Sequence, residues 1–145
     1  MADVRALLLS LRPQYAEAIL AGRKTVELRR RRIPLSRGAR VWIYSKVPRG
    51  QVEALGIVEK AVERRPDQIW REYGRASGLS MEEFYRYFDE VEVGHVIVFQ
   101  EVRRLRPILR LNDLRQRVKG FHPPQFFKRL AADGPELSFF RSALI

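Results

Sequence analysis

The sequence predicts an α+β domain, a small β-barrel of five or six strands with an early helix and a helical insertion. Three observations predict it. Short β-prone runs bounded by Pro and Gly turns occur in both halves of the chain. Helical spacing appears early, over 13–22, and again in a separate block between 66 and 88. The chain's 145 residues, 46% of them hydrophobic, suit one domain over 1–145 with a core of its own. Curling the sheet would remove its exposed edges.

The elements follow in order. Ala6–Leu11 is short, apolar and ended by a turn signal, which reads as a buried first strand. Pro13 is favoured at a first helical position and opens a helix that carries Tyr15, Ala18 and Ile19 and stops at Gly22. Thr25–Arg31 alternates: Val26 and Leu28 point one way, and Thr25, Glu27 and Arg29 form a charged outer face. Ile33–Gly38 reads as a turn. Val41–Tyr44 is a strand with Val41 and Ile43 on one face and Trp42 and Tyr44 on the other, and Pro48–Gly50 is the next turn. Ala54–Val62 is a further strand in which Gly56 marks a bulge or a close approach.

Pro66–Tyr73 then reads as a short helix. Ser80 and Glu83 form a capping box for another helix, with Phe84, Tyr87 and Phe88 on its apolar stripe. Gly94 ends the insertion. His95–Val102 is β-prone, and Arg103–Leu111 reads as a last strand broken at Pro107. Asn112 or Asp113 caps a short helix ending at Gly120, and Pro124 opens a helical stretch over Gln125–Leu130.

Composition excludes several chemistries. There is no cysteine, which removes disulfides, thiolate metal sites, Fe–S clusters and a cysteine nucleophile. His95 and His122 lie far apart, without metal-ligand spacing. Neither a metal nor another cofactor is expected. No apolar run approaches the ~20 residues that span a bilayer. A secretory signal is not expected either, so the sequence reads as a cytoplasmic protein without a membrane partner.

Charge points to a partner. The formal net charge is +11, and 23 of the 28 basic residues are arginine, the side chain suited to planar contact with phosphate and to stacking on bases. Residues 1–50 carry a net +9, residues 51–102 a net −5 and residues 103–145 a net +7. A compact domain can bring the two basic ends together into a surface that attracts polyanions.

One stretch is more specific than composition. Gly22-Arg-Lys24-Thr-Val-Glu27-Leu-Arg29 fits the pattern G-x-K-x-x-E-x-R after a strand and an amphipathic helix. It resembles the signature of the ASCH domain, a relative of the PUA RNA-binding domain. Leu9-Ser10-Leu-Arg12-Pro13-x-Tyr15-Ala16-x-x-Ile19-Leu20 resembles the family's opening. Val41-Trp-Ile-Tyr44-Ser45 and Gly120-Phe-His122-Pro-Pro124-Gln125-Phe-Phe-x-Arg129-Leu130 resemble further family blocks. The likeness runs in register over about residues 6–130 and is nearest the subgroup described as predicted transcriptional regulators. It implies a PUA-like barrel and a cleft beside the first helix and the Gly22–Arg29 segment that takes RNA or a nucleotide. It also implies two kinds of enzyme within the family, a ribonuclease and an N4-acetylcytidine amidohydrolase. In the amidohydrolase group the residue three after the motif lysine is a threonine taken as nucleophile. Here that place holds Glu27. The glutamate that group carries in its helical insertion has no match in Arg75-Ala-Ser77-Gly78-Leu79.

The candidate site residues are Arg12, Lys24, Glu27, Arg29, Arg30, Tyr44, Ser45 and Lys46. Lys24 follows the helix-ending Gly22, where its ammonium can hold a phosphate or act as a base once desolvated. Glu27 and Arg29 share a strand face, as an ion pair or as an acceptor and a donor fork for a base or sugar. Surrounding positive charge should keep Glu27 ionised. Alternation sets Arg30 and Arg32 on the face opposite Arg29 and Arg31. Arg12 sits at a helix N-terminus, which itself attracts anions. Tyr44 beside Lys46 suits either base stacking or the core, and Ser45 is a plausible cleft hydroxyl. Phe84, Tyr87, Phe88, Phe126 and Phe127 read as packing residues, and both histidines as local structural groups. Three functions remain open at this point. One is a binding module for RNA or a nucleotide. The second is a small hydrolase acting on RNA or a modified nucleoside with Lys24 and Glu27 as its working pair. The third is a regulatory domain whose basic surface serves a protein partner.

Overall fold

The computed structural model describes residues 4–144. In chain order the elements are β1 (Val4–Leu11), α1 (Pro13–Leu20), β2 (Val26–Arg29), β3 (Leu35–Ser45), β4 (Gln51–Arg64) and α2 (Pro66–Tyr73). They continue with α3 (Met81–Tyr87), β5 (Gly94–Arg110), α4 (Leu111–Arg117), β6 (Phe127–Arg129) and α5 (Pro135–Ser142). The six strands form one sheet in the order β2-β5-β4-β3-β1-β6. Only β1 and β3 pair in parallel; every other neighbouring pair is antiparallel.

The curl originates in β4 and β5. Their 14 and 17 residues run side by side with three register shifts, between Val52 and Ala54, Ile57 and Val58, and Val58 and Lys60. Each extra residue bends its strand and increases the local twist. The sheet rolls into a half-barrel whose ends do not pair, so the edges remain. Edge strands β2 and β6 have only four and three residues, which limits what an edge can recruit.

Both sheet faces are covered. This explains why Leu7, Leu8 and Leu9 run consecutively and are all fully buried. Val41 and Ile43 face a first core beneath Ala16 and Ile19 of α1. Trp42 and Tyr44 face a second core with Leu114 of α4 and Leu137 and Phe140 of α5. Val26, Leu28 and Val96 face a third, closed by Ile69 of α2, by Phe84 of α3 and by Phe88 at the C-cap of α3. The capping box at Ser80 is formed, with Glu83 N–H donating to Ser80 Oγ and Glu83 Oε1 accepting from Ser80 N–H.

Four local expectations are corrected, and one helix is added. The expected turn over Ile33–Gly38 already contains the start of β3, because Ile33 and Leu35 both enter the first core. Arg103–Leu111 is no separate strand: β5 continues through Pro107 to Arg110, paired with Gln51 and Val52 at its end. The stretch from Gln125 to Leu130 is not helical; Phe127–Arg129 pairs with Leu7–Leu9 and supplies β1 with its second neighbour. Helix α5 has no counterpart in the sequence expectations. Its pattern covers little more than two turns, and its stability comes from seating Leu137 and Phe140 against Trp42, whose ring lies 5.4 Å from that of Phe140. The outer face of β2 is not exposed, since Glu27 is buried.

Gly56 is a close approach. A Cβ there would sit 2.7 Å from the Phe99 ring across the β4–β5 pair. Gly56→Ala is therefore expected to destabilise the fold by about 1–3 kcal/mol through overpacking. A urea midpoint equal to that of the wild type would contradict this.

Candidate nucleic-acid interface

The segment leaving α1 is shaped by its backbone. Gly22 has φ +80°, a left-handed conformation suited to glycine. The Arg23 and Lys24 N–H groups both donate back to Ala18 O, at 3.0 and 3.1 Å. Thr25 N–H donates to Ala76 O at 2.9 Å, which ties the segment to the connection between α2 and α3. That connection folds over Lys24: a Cβ on Gly78, itself at φ +71°, would lie 3.3 Å from Lys24 Cβ.

Lys24 is therefore not a solvated turn lysine. It is only 3% exposed. Its Nζ donates to Ser77 O at 2.9 Å, lies 3.5 Å from Glu27 Oε1, and sits 5.6 Å from the Tyr15 ring centroid. An ammonium has three donors, and these two acceptors leave one for a ligand. Glu27 is 6% exposed and lies between two cations, with Oε2 accepting from Arg29 Nη1 at 3.4 Å. Burying a carboxylate requires such partners. The Tyr87 hydroxyl donates to Leu28 O at 3.0 Å and closes the free edge of β2. Burial raises the Tyr87 phenol above its ordinary range, opposed by the charge of Arg29, so it stays a neutral donor at physiological pH.

These groups line a cleft of about 230 Å³ together with Arg12, Lys46, Ser10 and Phe126. Ser10 brings the tail of the chain to it: its hydroxyl donates to Pro124 O at 2.6 Å and its N–H to Phe126 O at 2.9 Å. Phe126 is 57% exposed at the mouth, 6.0 Å from Lys46 Nζ. An exposed aromatic beside a cation at the rim of a basic cleft offers a stacking platform.

The structure gathers Arg12, Lys24, Glu27, Arg29 and Lys46 into this one cleft. It does not bring in the other three candidates. Arg30 reaches away from it, donating to Tyr87 O at 3.2 Å and Asp89 O at 3.3 Å. Tyr44 is buried in the second core with Trp42, where burial raises its phenol above the ordinary range against the weaker pull of Arg115. Ser45 is fully buried. Phe126 and Tyr87, read from the sequence as packing residues, line the cleft. Only the pairing of β6 with β1 carries Phe126 there, and no local pattern encodes that contact. The usable signal for Ser10 and Tyr15 was their place in the opening block, just ahead of the Gly22–Arg29 motif.

Comparison with known proteins agrees with the motif. The family model for the ASCH domain matches residues 9–106. The ASCH domain-containing ribonuclease of Zymomonas mobilis is 36% identical over 124 residues, which cover 85% of this chain and 82% of that protein. The crystal structure of ASCH from Zymomonas mobilis matches with a TM-score of 0.88 at 31% identity, over 97% of this chain and 96% of that one. A more distant likeness is the N-terminal domain of Thermococcus gammatolerans McrB, solved bound to m5C DNA. Its TM-score is 0.58 at 14% identity, over 97% of this chain and 96% of that one, a likeness of fold. Motif, family match and whole-chain likeness agree, and the chain belongs to the ASCH domain family.

Proposed function

We propose that the Lys24 cleft binds RNA through one unstacked nucleotide. The observation that carries this is the buried ammonium of Lys24, held by Ser77 O and Glu27 at the floor of a cleft rimmed by Arg12, Arg29, Lys46 and the exposed ring of Phe126. Arg and Lys at the rim supply phosphate affinity, and Phe126 supplies a sequence-tolerant face for a base. Glu27 accepts hydrogen bonds only, so it selects for an amino or hydroxyl group on the guest. A hollow of about 230 Å³ has room for one such unit and none for a duplex, which favours single strands or loops. An RNA ligand also suits a cytoplasmic protein. No described helix is long and apolar enough to cross a membrane.

Fluorescence anisotropy with a labelled single-stranded RNA, titrated against salt, tests the reading. Two or three phosphate contacts are expected to give a log–log salt slope of about −1.4 to −2.1. Binding that is flat between 50 and 200 mM salt, on the order of the range where counterion release is felt, would exclude it.

Hydrolysis of that RNA is the second reading, favoured by the 36% identity to a protein named as a ribonuclease. In it the Lys24 ammonium, aimed by Glu27 and Ser77 O, stabilises negative charge developing on a phosphate oxygen. Incubation with synthetic RNA should then give fragments from the wild type and none from Lys24→Ala. Intact RNA in both would leave binding alone. N4-acetylcytidine should not be consumed, because Glu27 occupies the place of the nucleophilic threonine.

A further inference from the structure

A second hollow, of about 460 Å³, opens beside the first. Arg29 lines both. Register explains the continuity. Arg29 pairs with His95 across β2 and β5, and His95 pairs with Glu63 across β5 and β4. Directly paired residues point to one side of a sheet. Glu27 and Arg29, two apart on β2, share that side as well. One polar row thus runs from Lys24 and Glu27 through Arg29 to His95 and Glu63. The offset from Glu27 to Arg29 is about 7 Å at ordinary strand rise, the order of one nucleotide step.

Two arginines and an imidazole line the second hollow. Arg29 is held by Glu27 at its near edge. Arg32 is exposed and lines the hollow, and no carboxylate among the described residues pairs with it. The His95 side chain is 17% exposed and offers a ring N–H. Burial lowers its pKa; the Glu63 carboxylate opposes this and Arg32 assists it, so the ring is neutral at physiological pH. Glu63 is the one carboxylate there. Its side chain is 65% exposed and its Oε2 lies 3.8 Å from His95 Nδ1, placed to accept from a sugar hydroxyl.

We propose that this hollow is a phosphate subsite for the next nucleotide of the strand seated in the Lys24 cleft, with Arg32 and Arg29 as its cations, so that the ligand is an oligonucleotide and not a mononucleotide. The proposal rests on the nucleotide reading of that cleft.

Titration calorimetry with a mixed-sequence ribotetranucleotide and with the four ribonucleoside monophosphates tests both. The tetranucleotide should bind the wild type at least about tenfold more tightly than any monophosphate. Arg32→Ala should weaken the tetranucleotide about fivefold and lower its salt slope by about 0.7, the share of one phosphate, while monophosphate affinity stays unchanged. Arg32→Glu should do the same more strongly; Arg32 is exposed, so unfolding midpoints should stay at the wild-type value. Lys24→Ala should weaken both probes. Equal affinity for the two probe classes, or Arg32 variants that bind the tetranucleotide normally, would overturn the subsite and leave the cleft standing. If no probe binds, or if Lys24→Ala binds both normally, the cleft reading fails and the subsite fails with it.

Discussion

Lys24→Ala should lose RNA binding by about 10- to 150-fold, the equivalent of about 1.5–3 kcal/mol for a hydrogen bond to a charged group. The same change should also weaken the fold. Lys24 is 3% exposed and supplies the donor for Ser77 O at 2.9 Å. Without it Ser77 O loses its partner, and Glu27, 6% exposed, keeps only Arg29 at 3.4 Å. A buried carboxylate that loses one of two cations costs about 2–4 kcal/mol, nearer the lower end because Arg29 remains. The double variant Lys24→Met with Glu27→Gln separates the two effects. It removes both charges at similar volume, so much of the lost stability should return, short of the missing hydrogen bond to Ser77 O, while binding stays lost. Urea unfolding and RNA anisotropy on the same preparations read the two quantities. A double variant that binds RNA normally would show that the buried pair only braces the turn.

The second large effect is expected away from the cleft, at the turn joining β3 and β4. Glu53 is fully buried. Its Oε2 accepts from Arg49 Nη2 at 2.7 Å and from Gln51 Nε2 at 3.1 Å, and Arg49 is its one cation among the described residues. Arg49→Ala leaves this carboxylate uncompensated and should cost about 3 kcal/mol, the low end for a broken buried pair because Arg49 is itself partly exposed. Removing both ends, as Arg49→Leu with Glu53→Leu, should recover most of that loss, since well-packed apolar groups replace buried pairs at little cost. The measurement is a shift of the urea midpoint at unchanged slope. An Arg49→Ala protein as stable as the wild type would mean that solvent reaches Glu53 in solution.

The two halves of the candidate site differed in how far sequence could reach them. Lys24, Glu27 and Arg29 belong to one continuous motif, and its spacing places the last two on one strand face, as found. Arg12 and Lys46 each lie one residue beyond the ends of the adjacent strands β1 and β3, whose pairing brings them together. Tyr44 and Ser45 stand next to Lys46 in sequence but do not line the cleft. Strand alternation sets Tyr44 beside Trp42, which the sequence leaves open between stacking and core; α5, which no local pattern predicts, closes that face.

What the sequence determined by itself was local and periodic: the alternation in β3, the capping box at Ser80, the helix opened by Pro13, the motif turn and the excess of arginine. Each depends on residues within a few positions of one another, where propensity and spacing act directly. Tertiary structure decided the rest. It turned Phe127–Arg129 into a strand along the open edge of β1, and it carried Phe126 to the cleft mouth by that pairing. It buried Lys24 beneath the turn before α3, and it aligned Arg29, His95 and Glu63 in one row across three strands. These contacts join residues tens of positions apart, and the burial that selects them arises only once the whole sheet has curled.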